Sequence, residues 1–402
     1  MVKKSYLSLE LAIPEDIIIP HILMKLPVRS LLCLKCVSKY FKTLISSPEF
    51  INFHLRTLNS SSDDEKLYIL QSYYHCLYSL DSTSLSSSSP VERLKLRYPQ
   101  KQGGRSVIYY KLIGSCNGLH CVQSDEGFYL DYVVFNPSTG VYKKIGFHFV
   151  DIDLPINGLF LVHSGFGFDN VSNDYKIVML VSTCCGSNPS SCQIFVYSLM
   201  ANSWRALDIH FNYYQSLKND PAAVIDKHLF HFLFNEGVVG CFDIQTEQWS
   251  KFELPTFINR DDKLFWELGV FEGCLYIMVH DLVAVEFLDF DTNYEVWVMK
   301  EYKVKESWSK ITSVWNQELW PKERKFINDS ISPLKYSDKL RDDQILFWNE
   351  YNSTFIYYNI ESKLPNIVEI NGVVSTESKA YFCHETLVTI PGGKQLRGVL
   401  RK

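Results

Sequence analysis

The chain has 402 residues, 46% of them hydrophobic and 14% aromatic, so it can bury a large core. Its formal net charge of −5 excludes a general nucleic-acid binder, which needs a basic surface. No uncharged apolar run is long enough to span a bilayer: the most apolar stretch, 266–290, is broken by Glu267, Glu272, Asp281, Glu286 and Asp289.

The opening stretch carries carboxylates at Glu10, Glu15 and Asp16, so no basic-then-apolar export signal is read there. The expected location is the cytoplasm, or the nucleus. From Ile13 the sequence turns helical. Pro14 suits a first turn, where a missing N–H is harmless, and Glu15 and Asp16 complement the positive end of the helix. An apolar run follows (Ile17, Ile18, Ile19, Ile22, Leu23, Met24, Leu26) and Pro27 closes it. Pro20 interrupts this helix, which is expected either to kink there or to start later. A second helical region carries Leu31, Leu34, Val37, Phe41, Leu44 and Ile45 on one face and ends at Ser46-Ser47-Pro48. A segment this short cannot bury that much apolar surface alone and needs a partner or the rest of the chain. Between Ile17 and Pro48 stand Lys25, Arg29, Lys35, Lys39 and Lys42 with no carboxylate, a bias that suits an acidic partner.

The polar tract 59–65 reads as a linker, 67–70 as a strand and the Ser-rich 82–89 as a flexible loop. From Tyr109 onward, short runs of Val, Ile, Tyr, Phe and Leu alternate with Gly, Asn, Asp and Ser clusters, an all-β signature. One phrase repeats: an apolar strand, a turn built on Asn or Asp with Thr or Ser, and a strand opening on an aromatic. Its copies end near Tyr142, Trp204, Trp249 and Trp297, with a weaker one over 356–363. The intervals of about 45 to 62 residues fit propeller blades with loop insertions. Asn and Asp cap their own backbone and let the strand reverse sharply, while the aromatics pack between sheets. The expected fold is mainly β: an N-terminal helical unit followed by a β-propeller.

No catalytic constellation is visible. Gly165-Phe166-Gly167 lacks the third glycine of a phosphate loop, no serine sits in a nucleophile elbow, and His228 and His231 fall in a strand-like run. Cys33-x-x-Cys36 is half of a zinc spacing with no second pair nearby. Most of the eleven cysteines read as small buried hydrophobes. No metal and no cofactor are expected. The irregular insertions 182–193, 211–220 and 256–263 are the expected source of binding specificity. Tyr213, Tyr214 and Lys218 have the composition of an interface centre.

The N-terminal phrases Ile13-Pro14-Glu15-Asp16, Leu26-Pro27-Val28-Arg29-Ser30-Leu31-Leu32, Lys35-Cys36-Val37-Ser38-Lys39 and Leu44-Ile45-Ser46-Ser47-Pro48 resemble an F-box, with Phe41 where that family commonly has Trp. The phrases Gly114-Ser115-Cys116-Asn117-Gly118-Leu119, Asn136-Pro137-Ser138-Thr139-Gly140 and Gly165-Phe166-Gly167-Phe168-Asp169 resemble the kelch-like F-box-associated domain of plant F-box proteins. The resemblance implies a helical F-box at 1–56, a connector with one strand at 57–108, a propeller-like substrate-binding domain at 109–391 and a tail at 392–402. It also implies a non-catalytic substrate receptor of an SCF ubiquitin ligase. Ile13, Pro14, Ile17, Ile22, Leu23, Leu26, Pro27, Val28, Leu31, Leu32, Val37 and Phe41 would dock a Skp1-type adaptor, and through it a cullin. The other partner would be a protein substrate, with neither nucleic acid nor membrane involved. The phrases 297–302 and 383–391 resemble the S-locus F-box group, which would make that substrate an S-RNase. A non-degradative scaffold and a propeller enzyme are the competing readings.

Overall fold

Proline has no N–H to give to a helical ladder, and in the computed structural model the segment around Pro20 is not a regular α-helix. A wide π-helical turn covers Ile18–Ile22 and a 3-10 turn covers Leu23–Lys25. The structure describes residues 18–59, 65–72, 76–81, 85, 91–95, 110–125, 129–148, 159–184, 190–213, 221–234, 237–258, 263–281, 293–315, 331–336, 344–350, 352–373 and 378–395.

The second helical region divides into α1 (Val28–Val37) and α2 (Lys39–Ile45). The break has a local cause. Ser38 takes an extended conformation, and its hydroxyl accepts a hydrogen bond from the Phe41 N–H at 3.2 Å, capping α2. Ser47 accepts from the Phe50 N–H at 3.2 Å in the same way, and Pro48 opens α3 (Pro48–Asn59).

The β region forms six antiparallel sheets among the described residues. Blade 1 holds β1 (Glu65–Gln71), β2 (Cys76–Asp81) and β3 (Glu92–Lys95). Blade 2 holds β4 (Tyr110–Cys116), β5 (Leu119–Asp125), β6 (Tyr129–Asn136) and β7 (Val141–His148). Blade 3 holds β8 (Leu159–Asp169), β9 (Asp174–Cys184), β10 (Ser190–Ser198) and β11 (Ser203–Tyr213). Blade 4 holds β12 (Ala223–Ile225), β13 (Leu229–Phe234), β14 (Val238–Asp243) and β15 (Gln248–Glu253). Blade 5 holds β16 (Lys263–Phe271), β17 (Cys274–Asp281), β18 (Asn293–Met299) and β19 (Trp308–Trp315). Blade 6 holds β20 (Ile331–Tyr336), β21 (Gln344–Asn349), β22 (Thr354–Asn359) and β23 (Pro365–Glu369). The chain then returns. β24 (Ser378–His384) becomes the inner strand of blade 1, and β25 (Lys394–Gln395) adds a fifth strand beside β7.

Each first strand packs on the next, so β4, β8, β12, β16, β20 and β24 line a closed ring. The chain ends close this ring. β24 pairs with β1 over seven residues, from Glu65 opposite His384 to Gln71 opposite Ser378. Residues 65–95 therefore supply three strands of a blade, where a connector with one strand was expected. The reason lies in the register: β1 pairs on one edge with β2 and on the other with β24, more than 300 residues downstream, a pairing no local pattern announces.

The repeated turns work as their composition predicts. Asn136 Oδ1 accepts from the N–H groups of Ser138 (2.9 Å) and Thr139 (3.3 Å), Asp243 Oδ1 from Gln245 N–H (2.8 Å), and Asn359 Oδ1 from Ser362 N–H (2.7 Å). One copy of the phrase sits on a different strand from the others. Tyr142, Trp204 and Trp249 lie on fourth strands, but Trp297 lies on the third strand of blade 5. Its counterpart is Trp308, which opens β19 after the longer connection 300–307 and is buried.

Candidate functional site

The helical unit divides its apolar residues between two destinations. Leu23, Val28 and Leu31 are buried inside the chain, so three of the expected adaptor anchors form the unit's own core. Leu26, Leu32 and Phe41 are half-buried against that core. Pro27 is exposed, as are Ile22 and Val37, and Val37 keeps 70% of its surface accessible at the end of α1. Ile13, Pro14 and Ile17 lie outside the described residues. Tyr40 and Phe53 are exposed too and were not among the expected anchors. Helical periodicity marks the apolar stripe but does not say which part of it faces inward.

The exposed apolar residues are interspersed with Lys25, Arg29, Lys39 and Lys42, also exposed. Lys35 is partly buried, which lowers its pKa from the ordinary lysine range. The surface is thus apolar with a basic margin.

One apolar cluster joins this unit to the propeller. It takes in Leu31, Ile45 and Phe50 of the helices, Leu387, Val388 and Ile390 of segment 385–391, and Ile113, Tyr132 and Phe166 of blades 2 and 3. The segment is fixed by hydrogen bonds to blade 2. Asn136 Nδ2 donates to the carbonyls of Thr386 (3.1 Å) and Val388 (2.9 Å), and Thr386 Oγ1 donates to the Asn117 carbonyl (2.9 Å). Gly118 has φ +77°, and a Cβ there would meet Thr386 Oγ1 at 2.2 Å. The phrase at 383–391 therefore builds a strap between propeller and helices. Nothing in its composition announces that role; the signal was the pairing of a late strand with an early one.

In blades 2 to 6 the first strand ends, and the second begins, at the same end of the propeller as the junction of third and fourth strands; in blade 1 the end of β24 and the start of β1 lie at that end. The strap lies at this end, against Asn117 and Asn136. The second-to-third and blade-to-blade connections lie at the other. The strand ends that flank the three insertions expected to carry specificity are there: the end of β9 and start of β10, the end of β11 and start of β12, and the end of β15 and start of β16. Tyr213 is the last residue of β11, while Tyr214 and Lys218 lie outside the described residues.

The two histidines considered for chemistry are held structurally. His228 Nδ1 lies 2.9 Å from the Asp226 carbonyl. His231 is fully buried between the Ala223 carbonyl (3.1 Å) and Tyr302 Oη (2.8 Å). Burial lowers its pKa to about 4, so the ring is neutral. Among the described residues no helix is long and apolar enough to cross a membrane.

Residues 66–392 match the F-box associated beta propeller domain family, and residues 11–53 match the F-box domain. The F-box protein CPR1 of Arabidopsis thaliana is 29% identical over 388 residues, covering 91% of this chain and 86% of that one. The F-box/kelch-repeat protein At3g23880 of the same plant is 26% identical, covering 80% of this chain and 82% of its own. Apo AztD from Citrobacter koseri aligns over 79% of this chain and 97% of that one, at TM-score 0.34 and 9% identity. That last likeness carries no argument about function.

Proposed function

The chain belongs to the family of F-box proteins with an F-box associated beta propeller domain, and from that premise we propose that it is the substrate-recognition subunit of an SCF-type ubiquitin ligase. The F-box implies binding to a Skp1-type adaptor and through it to a cullin. The observation that carries the reading is the exposure of the apolar side chains Ile22, Val37, Tyr40 and Phe53, interspersed with exposed basic residues on a unit strapped to the propeller. Binding there buries apolar area, the main source of affinity, while the basic margin steers an acidic partner. No side chain of this chain performs chemistry in the proposal. The propeller holds a substrate so that its lysines meet a ubiquitin-charged enzyme, and the gain is one of proximity.

The substrate is proposed to bind the propeller end away from the strap, where the connections of 182–193, 211–220 and 256–263 are made. Tyr213, Tyr214 and Lys218 are its proposed centre. The narrower S-RNase reading has less support. The residues behind it are used for packing, since Cys383 is buried and 386–390 form the strap.

The test is reconstitution. Purified chain should co-purify with a Skp1-type adaptor and cullin, and its overproduction should lower the abundance of captured proteins in a proteasome-dependent way. Adaptor binding without any change in partner abundance would favour the scaffold reading. Failure to bind the adaptor would overturn the proposal. Replacing Tyr213 and Tyr214 by Ala should weaken substrate capture and leave adaptor binding unchanged.

A further inference from the structure

At the outer rim of blades 4 and 5, the surface folds into a cleft of about 350 Å³. Its floor is apolar, made by Val238 and Phe252 of blade 4 and Met299 of blade 5. Lys251, Lys303 and Lys305 stand around it, opposed by the single carboxylate of Glu253. Among the described residues Lys251, Lys303 and Lys305 make no ion pair; Lys303 Nζ donates to the Ser250 hydroxyl at 3.1 Å and lies over the Tyr302 ring, 5.4 Å from its centroid. Three ammonium groups thus face one cleft with a surplus of positive charge.

The wall bearing two of these lysines is held rigidly. Tyr302 Oη lies 2.8 Å from buried His231 Nε2 and 3.3 Å from Cys241 Sγ, pinning the 300–307 connection of blade 5 onto blade 4. Lys303 takes a left-handed conformation, φ 60°, with its N–H directed to Met299 Sδ at 3.1 Å. Ser307 Oγ ties the connection internally to the carbonyls of Glu301 (2.9 Å) and Val304 (2.7 Å). The lysines are therefore presented on a fixed frame, which lowers the entropy lost on binding.

The blade 4 wall offers a second kind of contact. Among the described residues β15 pairs with β14 and with no other strand, so it is the outer edge strand of blade 4. An extended chain can add to such an edge, with main-chain hydrogen bonds giving affinity and flanking pockets giving selectivity. Blade 2 already does this with the chain's own β25, which lies along the outer edge of β7.

We propose that this cleft binds an extended acidic segment of a protein partner, added as a strand along β15. Its carboxylates would meet Lys251, Lys303 and Lys305, and one apolar side chain would enter between Phe252 and Met299. The inference rests on the receptor reading, but the site is independent of the adaptor surface.

The test uses the full chain and an array of short peptides alternating Asp or Glu with apolar residues, read by fluorescence polarisation, with Lys-for-Glu counterparts as controls. Acidic peptides should bind, the counterparts should not, and K303E/K305E should weaken binding about tenfold. Lys251→Glu, on the exposed face of β15, should weaken it too and leaves the 300–307 connection untouched. Absence of binding by every acidic peptide, or binding unchanged in both variants, overturns the proposal. So does full displacement by millimolar inorganic phosphate, which would make this a simple anion site. Adaptor co-purification is measured on the same proteins. Its loss in the unmodified chain counts against the receptor reading, whereas loss of peptide binding alone counts against the cleft.

Discussion

Lys379 Nζ lies 2.6 Å from Glu350 Oε1, at the point where the last inner strand closes the propeller ring. The same ammonium lies 2.6 Å from Glu267 Oε1 and donates to Ser332 Oγ at 3.0 Å, and that hydroxyl lies 2.9 Å from Glu267 Oε2 and 3.1 Å from Glu350 Oε1, with one proton to give to either. Burial alone would lower the Lys379 pKa, but the two carboxylates outweigh it and hold the pKa above the usual lysine range. Blades 1, 5 and 6 are thus stapled by one cation. Lys379→Met would leave two carboxylates close together and half-shielded from water. About a third of the lysine side chain is solvated, so we expect a loss of about 1–3 kcal/mol, less than for a fully buried pair. Chemical denaturation checks this, and adding Glu350→Gln to the variant should recover part of the loss.

Stability should fall on mild acidification. His120 is fully buried, with Nδ1 2.6 Å from Tyr381 Oη, and burial lowers its pKa to about 3; His231 falls to about 4 for the same reason. In the unfolded chain both titrate near the ordinary histidine value of about 6.5. Between that value and the depressed ones the unfolded state binds more protons, so stability is present above pH of about 6.5 and lost as pH falls below it. The slope should approach about 1.4 kcal/mol per pH unit for each histidine. Denaturant midpoints from pH 7.5 to 5 measure it, and His120→Phe should remove one proton's share of the slope.

Local patterns were legible and long-range ones were not. Asn136, Asp243 and Asn359 announce their turns because the side chain bonds a backbone group only two or three residues away. Ser38 and Ser47 cap α2 and α3 by equally short reach, though periodicity alone ran one stripe across the Ser38 break. The propeller was readable from its repeat. Its closure was not, since β1 meets β24 from the far end of the chain and a strand's sequence does not name its partner. The proposed docking surface was half legible. The apolar stripe of the helices is plain, yet Leu31 turns inward, into the cluster that also holds Leu387, Val388 and Ile390, and Val37 stays exposed.

That division between Leu31 and Val37 can be tested directly. Leu31 is fully buried, so Leu31→Ala should cost about 2–5 kcal/mol and loosen the helical unit whether or not an adaptor is present. Val37 is exposed, so Val37→Glu should leave the melting temperature almost unchanged while weakening adaptor binding by about tenfold or more. Titration calorimetry with purified adaptor, paired with thermal melts, separates the two. Equal effects of both substitutions on stability would refute the assignment.

A propeller fragment must contain the strands that close it. A fragment covering 109–391 lacks β1, β2 and β3 and leaves β24 without a partner, so it should show no cooperative melt. A fragment from 64 to 402 keeps all six blades and should melt cooperatively, with a strand-dominated circular dichroism spectrum. It should also bind apolar dyes more strongly than the full chain, because Leu387, Val388 and Ile390 lose their helical cover.

The strap depends most on a single side chain. Asn136 is fully buried; its amide donates to the Thr386 and Val388 carbonyls, and its Oδ1 accepts from Ser138 and Thr139 N–H groups. One residue therefore fixes the blade 2 turn and holds the strap on it. Asn136→Ala leaves two buried carbonyls unpaired at 386 and 388 and removes the turn cap, for an expected loss of about 2–4 kcal/mol. Asn136→Asp is the sharper test. A carboxylate can still cap the turn, but it has no hydrogens for the strap carbonyls and brings a negative charge against them. It should keep blade 2 folded while freeing the strap. Limited proteolysis should then cut near 385–393 in the Asp variant and not in the unmodified chain, while the strand signal persists. If the Asp variant resists cleavage as the unmodified chain does, the strap is held by its apolar residues alone.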